Sequence, residues 1–216
     1  ETLEIKRLGF TIPENVGMNS KVLTKIDSIA NHAISKKMTP GIQVVVARKG
    51  KVIYQKSFGN HTYESNQKVS NTDVYDIASL TKIVATLPNV MQEFDKGHLT
   101  LETKLRTILP VAKNSNKANA TVLDMLTHQA RFQPWIPFYK ATLDSLNRPS
   151  THFYRSDFSD EFPIHVANKL YLRKDYNDTI VKTILESELL PKKQYKYSDF
   201  TFILFKEYLE LHNKKS

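Results

Sequence analysis

The stretch from residue 75 to 94 limits what this chain can fold into more than any other. Tyr75-Asp76-Ile77-Ala78-Ser79-Leu80-Thr81-Lys82 leads into a segment whose apolar residues Leu80, Ile83, Val84, Leu87, Val90, Met91 and Phe94 recur at helical spacing. An apolar stripe of that width is expected to bury the helix against the rest of the fold. Ser79 and Lys82 stand three residues apart where loop becomes helix, so both side chains share one face. A hydroxyl beside an ammonium at the buried end of a helix is a candidate nucleophile site. Pro88 removes one helical hydrogen bond and is expected to bend or loosen the helix.

Around this stretch the pattern is mostly helical. Residues 1 to 19 are irregular, broken by Gly9, Pro13 and Gly17. Ser20 caps an expected helix from about 21 to 36, with Val22, Leu23, Ile26, Ile29, Ala30, Ala33 and Ile34 on its buried side. Two β-rich runs, Ile42 to Arg48 and Lys51 to Ser57, flank Lys49-Gly50 and predict a hairpin whose Val44 to Val46 segment reads as an inner strand. Thr121 with Asp124 three positions on predicts a capped helix that packs Val122, Leu123, Met125 and Leu126 inward. Residues 131 to 175 are the least regular. Trp135, Pro137, Phe138 and Tyr139 there read as groove cover or as core packing, and 166 to 172 as helix or strand. Helices are expected over 177 to 189 and 199 to 212, the second capped by Ser198 or Asp199 and burying Phe200, Ile203, Leu204 and Leu211. No internal repeat is visible. The fold class is α/β in the α+β sense, a helical region beside an antiparallel sheet.

Composition narrows the chemistry. With 216 residues and 40% hydrophobic content the chain can fill a substantial core. The excess of 31 Lys and Arg over 22 Asp and Glu is dispersed in pairs and triplets such as Lys36-Lys37 and Lys214-Lys215. No arginine-rich stripe or aromatic-basic module accompanies it, which argues against a nucleic-acid partner. The absence of cysteine removes disulfides and thiolate chemistry. No run of about 20 apolar residues is present, so no transmembrane segment is expected. Seven histidines occur without an H-E-x-x-H or similar spacing, so no metal site is read from the sequence. The chain begins at Glu1 without a signal segment, which leads to the expectation of a processed protein or a piece of a longer one.

An S-x-x-K pair is weak evidence alone, since its ordinary meaning is a helix cap and a lysine reaching for solvent. Catalysis needs a group to take the serine proton, and a lysine does that if burial or nearby positive charge lowers its pKa. Three further features surround the pair: the hairpin Gly41 to Ser57 followed by Gly59, the run Leu126-Thr127-His128-Gln129-Ala130 after a capped helix, and Tyr195-Lys196-Tyr197-Ser198-Asp199-Phe200 ahead of an apolar run. In this combination and order the sequence resembles the serine β-lactamase and penicillin-binding-protein superfamily. The likeness is to its class-C-like branch, which also holds serine esterases, D-aminopeptidases and D,D-carboxypeptidases. It extends from about residue 20 to 210.

The resemblance implies that Ser79 is the acyl-accepting nucleophile, Lys82 its proton-handling partner and Tyr197 a second acid or base whose phenolate is favoured by the Lys82 ammonium. Asp199 stands where the family commonly carries asparagine and would orient Lys82. The backbone N–H of Ser79 would form half of an oxyanion hole. Plainer readings are open for each: Tyr197 as a buried tyrosine, Asp199 as a helix cap, His128 as a packed histidine. The implied reaction is hydrolysis through an acyl-enzyme on a cell-wall D-amino-acid peptide, a β-lactam or a small ester, without a cofactor, in the bacterial periplasm or envelope or outside the cell. The alternative within the same fold is a non-catalytic member that binds peptidoglycan or a protein. The Trp135 to Lys140 stretch also resembles domains that follow a glycoside hydrolase family 3 domain in some envelope proteins.

Two departures from the family pattern stand out. Arg131 occupies a place where relatives usually have glycine. No K-T-G or H-x-G run follows the tyrosine motif, although in the family a strand with that run and a closing helix come after it. Residues 1–216 are therefore expected to be a partial domain in which the N-terminal hairpin is the only part of the sheet. Such a domain is expected to pair with a missing segment or another copy and to show little hydrolysis by itself.

Overall fold

Lys49 and Gly50 both adopt positive φ, +50° and +70°, the geometry of a two-residue hairpin turn whose twist matches its strands. In the computed structural model, which describes residues 8–213, this turn joins strands β2 (Gly41–Arg48) and β3 (Lys51–Gly59). Residues 1–7 of the expected irregular N-terminal stretch, and the Lys214-Lys215 pair, lie outside the described residues. The chain divides into two compact units, Glu1–Asp76 and Ile77–Ser216.

In the first unit, β1 (Gly9–Phe10) adds in parallel to β3, giving the order β1-β3-β2. The hairpin therefore has one more strand than expected. The inner strand is β3, and β2 is an edge, with Val45 exposed. The apolar run Val44 to Val46 did not reveal this, because an edge is decided by which strand a distant segment joins. The expected helix is split at Thr24 into α1 (Ser20–Leu23) and α2 (Lys25–Ser35). Its cap is Asn19, whose side chain accepts the Val22 N–H, rather than Ser20. Leu23 and Ala30 are buried as expected, while Val22 and Ile29 face outward. Asp27 ties α2 to β3, accepting from Lys56 at 2.8 Å and from the Tyr54 hydroxyl at 3.0 Å.

Gly59 closes the hairpin at φ +71°, and a Cβ placed there would collide with the Pro40 carbonyl and press on Ile34. Left-handed strain and the clash act together. Gly59→Ala is expected to destabilise the fold by about 2–4 kcal/mol, read from the midpoint shift in urea denaturation. An unchanged midpoint would show that the turn relaxes freely.

The second unit begins with the stretch that opened the sequence reading. It is not one regular helix: Ala78–Leu80 is a 3₁₀ turn, Lys82–Thr86 is a π-helical turn, and α3 runs from Leu87 to Asp95. Pro88 lies in the first turn of α3, where a missing N–H costs little. The wider π turn comes just before it, with the Leu87 N–H reaching back to the Lys82 carbonyl. The apolar stripe meets less than expected. Val90 is buried, but Leu80, Ile83, Val84, Met91 and Phe94 are all exposed.

The core of this unit gathers α4 (Leu105–Ile108), α5 (Val122–Leu126), α6 (Tyr176–Glu186) and α7 (Phe200–Asn213) around Leu105, Met125, Ile184, Phe200 and Leu204. Thr121 caps α5 as expected, its side chain accepting the Asp124 N–H at 3.1 Å, though Leu123 points outward. In α7 it is Phe205 and Tyr208 that are buried, and the expected Leu211 is exposed. Between α5 and α6 the region that looked irregular contains a small antiparallel sheet of β4 (Tyr154–Arg155), β5 (Ile164–Ala167) and β6 (Leu170–Leu172), in the order β4-β6-β5. The open choice at 166 to 172 resolves as a hairpin turning at Lys169, φ +50°. Phe138 packs on the core, whereas Trp135 is exposed.

Candidate active site

Ser79 is presented by a strained turn. Ala78, just before it, sits at φ +42°, a conformation that costs an alanine about 1–2 kcal/mol. One turn on, the Lys82 ammonium donates to Ser79 Oγ at 3.2 Å and pairs with Asp199 Oδ1 at 2.8 Å. The same ammonium lies 5.2 Å from the centre of the Tyr197 ring, whose hydroxyl hydrogen-bonds with Lys82 and Ser79. The four residues singled out in the sequence are thus brought together, although more than a hundred positions separate the two pairs.

The electrostatics differ from the lysine-as-base expectation. Burial works to lower the Lys82 pKa, but hydrogen bonds from Lys82 to Asp199 and Tyr197 outweigh it and hold the group above its ordinary value. Lys82 is therefore an ammonium throughout the neutral range. Tyr197 moves the other way. Its hydrogen bonds with Lys82 and then Ser79 favour the phenolate and lower its pKa, against a smaller opposing effect of burial. Among these groups Lys82 is the one held charged and Tyr197 the one whose ionisation is favoured.

Asp199 is free to serve Lys82 because its neighbour does the capping. Ser198 Oγ accepts the Phe200 N–H at 3.2 Å and donates to the Gln133 carbonyl at 2.6 Å, while Asp199 contributes its carbonyl to the first turn of α7. Both expected caps are used, one by side chain and one by backbone.

His128 is more than a packed histidine. Its carbonyl accepts the Lys196 N–H at 2.8 Å and its Nδ1 accepts the Ser198 N–H at 3.2 Å, so it brackets Tyr197 from both sides. Its ring lies 4.7 Å from that of Tyr197. The residue holds φ +57°, and Arg131 holds φ +63°, the glycine-type conformation suggested by its place in the pattern. Arg131 fixes the loop reciprocally with Leu190, donating from Nε to its carbonyl at 2.6 Å and accepting its N–H at 2.7 Å. The signal for His128 was available in the Leu126 to Ala130 run, but spacing alone does not reveal that a loop 70 residues away docks on it.

Because Nδ1 accepts a hydrogen bond, the His128 ring must be neutral there. Burial, and then the charge of Lys82, push its pKa below the ordinary 6.5, with Asp199 opposing. For a group lowered on folding, the stability contributed is complete above the unfolded value and is lost as pH falls through the folded one. His128→Asn keeps an acceptor and tolerates positive φ. The variant is expected to lose less thermal stability than the parent between pH 7 and pH 5, and equal losses would contradict this role.

The beta-lactamase family profile matches residues 27–215. The chain belongs to the beta-lactamase family. Protein flp of Staphylococcus aureus is 31% identical over 99 residues, 45% of this beta-lactamase-family chain and 20% of flp. The N-acetylmuramyl-L-alanine amidase of Bacillus subtilis is 27% identical over 139 residues, 58% of this chain and 31% of the amidase. Among solved structures, EstCE1, a hydrolase with promiscuous acyltransferase activity, superposes with a TM-score of 0.63 at 16% identity, covering 90% of this chain and 48% of its own. Class C β-lactamases and a penicillin-binding-protein homologue are also structural neighbours. At these identities the structural likeness establishes the fold, which is the mixed helical and antiparallel arrangement of this family. The matched regions are under half the length of those relatives. Membership supports a hydrolase in general terms.

Proposed function

We propose that this beta-lactamase-family chain acylates on Ser79, as a serine hydrolase of cell-wall D-amino-acid peptides, β-lactams or small esters. The observation that carries the reading is the convergence of Tyr197 and Lys82 on Ser79 Oγ, with the phenol lowered and the ammonium retained. Tyr197 as phenolate takes the Ser79 proton while Oγ bonds to the substrate carbonyl carbon. The negative charge that develops on the carbonyl oxygen is met by the Ser79 backbone N–H and by the field of Lys82. Collapse breaks the bond to the leaving group, which departs with the proton held by Tyr197 and leaves an ester on Ser79. Water then attacks that ester, giving its proton to the same phenolate; the Oγ–acyl bond breaks, Oγ takes that proton back from Tyr197, and the acid product leaves. The likeness to an amidase and to a hydrolase with promiscuous acyltransferase activity supports acyl transfer as the reaction class.

A second reading is favoured by one observation. Ser79 is exposed and Tyr197 is 40% exposed, whereas small-molecule sites bury most of their ligand. That openness fits either slow turnover by these residues alone or a non-catalytic member that binds peptidoglycan or a protein. Incubation with a fluorophosphonate probe and with fluorescent penicillin, followed by intact mass and peptide mapping, separates the two. One adduct located on Ser79 is expected, with slow steady-state ester hydrolysis. A folded chain that stays unmodified by both probes would leave the binding reading in place.

A further inference from the structure

Away from Ser79, Glu93, His98 and His212 form a tight triangle of donor atoms. Glu93 Oε2 lies 2.7 Å from His98 Nδ1 and 3.2 Å from His212 Nε2, and the two nitrogens are 3.0 Å apart. Glu93 is buried to 1% exposure at the end of α3, while the side chains of His98 and His212 are 42% and 38% exposed. In a tetrahedral zinc site, bonds of about 2.0–2.1 Å place neighbouring ligand atoms about 3.3 Å apart. The edges of 2.7, 3.0 and 3.2 Å are shorter than those of one face of such a tetrahedron by at most about 0.6 Å.

Hydrogen bonding alone satisfies this arrangement poorly. If both rings donate to Oε2, two N–H groups face each other at 3.0 Å. If one ring donates to the other, these two nitrogens are spent on each other and neither has a proton left for the carboxylate. A cation at the centre satisfies all three lone pairs. Glu93 Oε2 faces both ring nitrogens. Lys96 donates to the other oxygen, Oε1, at 3.0 Å and so fixes the carboxylate with Oε2 turned toward the histidines.

We propose that Glu93, His98 and His212 form a binding site for a divalent transition-metal ion of the zinc type, with the fourth position open to water through the exposed histidine side. The cluster is invisible to sequence spacing because Gly97, at φ +74°, turns the chain after α3 and brings His98 back over Glu93, while His212 arrives from the end of α7. A bound ion would staple α3 to α7. One of these continues from Ser79 and Lys82, and the other follows Tyr197 and Asp199.

The test uses chelator-treated full chain titrated with zinc by calorimetry and with cobalt(II) by visible absorption. One ion per chain is expected, with the intense ligand-field bands of a tetrahedral cobalt site. Zinc at a 100-fold excess over its Kd is expected to raise the unfolding temperature by about 5–10 °C. Both histidine side chains are exposed, so His98→Ala and His212→Ala should fold, as circular dichroism can verify. Each is expected to weaken zinc binding by about 100-fold or more and to abolish the thermal shift. Zinc binding of parental affinity in both variants, or stoichiometry well below one in the parent, would overturn the proposal.

Discussion

Ser79→Ala is expected to abolish covalent labelling, lowering the rate of fluorophosphonate modification by at least about 10,000-fold, to the level of random surface reaction. The size of the effect follows from what is removed. Among the four clustered residues Ser79 supplies the hydroxyl of the proposed nucleophile, while Lys82 is held as an ammonium by Asp199 and Tyr197 is given to proton transfer. Stability should change little, by under about 2 °C in the unfolding midpoint, because Ser79 is exposed. The comparison thus separates chemistry from folding. If the alanine variant is labelled as fast as the parent, the nucleophile lies elsewhere and the assignment to this helix fails.

Tyr197→Phe should have the next largest effect, slowing acylation by about 100- to 10,000-fold. The ring remains, so its contact with His128 and the stacking of Lys82 on its face are kept, and only the proton acceptor is lost. The pH profile gives a sharper check. In the parent, labelling should rise with pH through the lowered pKa of Tyr197, since the phenolate is the active form. Lys82→Met removes the hydrogen bond that contributes most to that lowering, so the rising limb should move toward the ordinary phenol value. A limb that stays in place after Lys82→Met would mean that a different group takes the serine proton. A labelling rate unchanged in Tyr197→Phe would exclude the phenol directly.

Local chemistry was readable along the chain wherever the determining atoms are neighbours. Lys49-Gly50 dictated a two-residue turn because both positions must tolerate positive φ, and that is what they adopt. Thr121 announced the start of α5 through Asp124. Ser79 and Lys82 had to share a face, since three positions apart on any tight helical turn gives that result. The family resemblance supplied Tyr197 and Asp199, which no local rule connects to Ser79.

What proved misleading were patterns that name a preference without naming its partner. The stripe from Leu80 to Phe94 is apolar, yet most of it is exposed, because periodicity says which side chains share a face and not what that face meets. Val44 to Val46 looked like an inner strand until β1 took the far edge of β3. His128 read as packing because its role depends on the N–H groups of Lys196 and Ser198.

The sequence by itself determined that Ser79 and Lys82 share a face, the Lys49-Gly50 turn, the Thr121 cap and the family to which the chain belongs. These rest on backbone preferences and short spacings that survive in any tertiary context. Only the tertiary structure decided that Lys82 is raised and Tyr197 lowered, that His128 brackets the tyrosine, and that Glu93, His98 and His212 converge. Each of these is an interaction between distant side chains at close range, and electrostatic and hydrogen-bond energies depend on separations that no linear order contains.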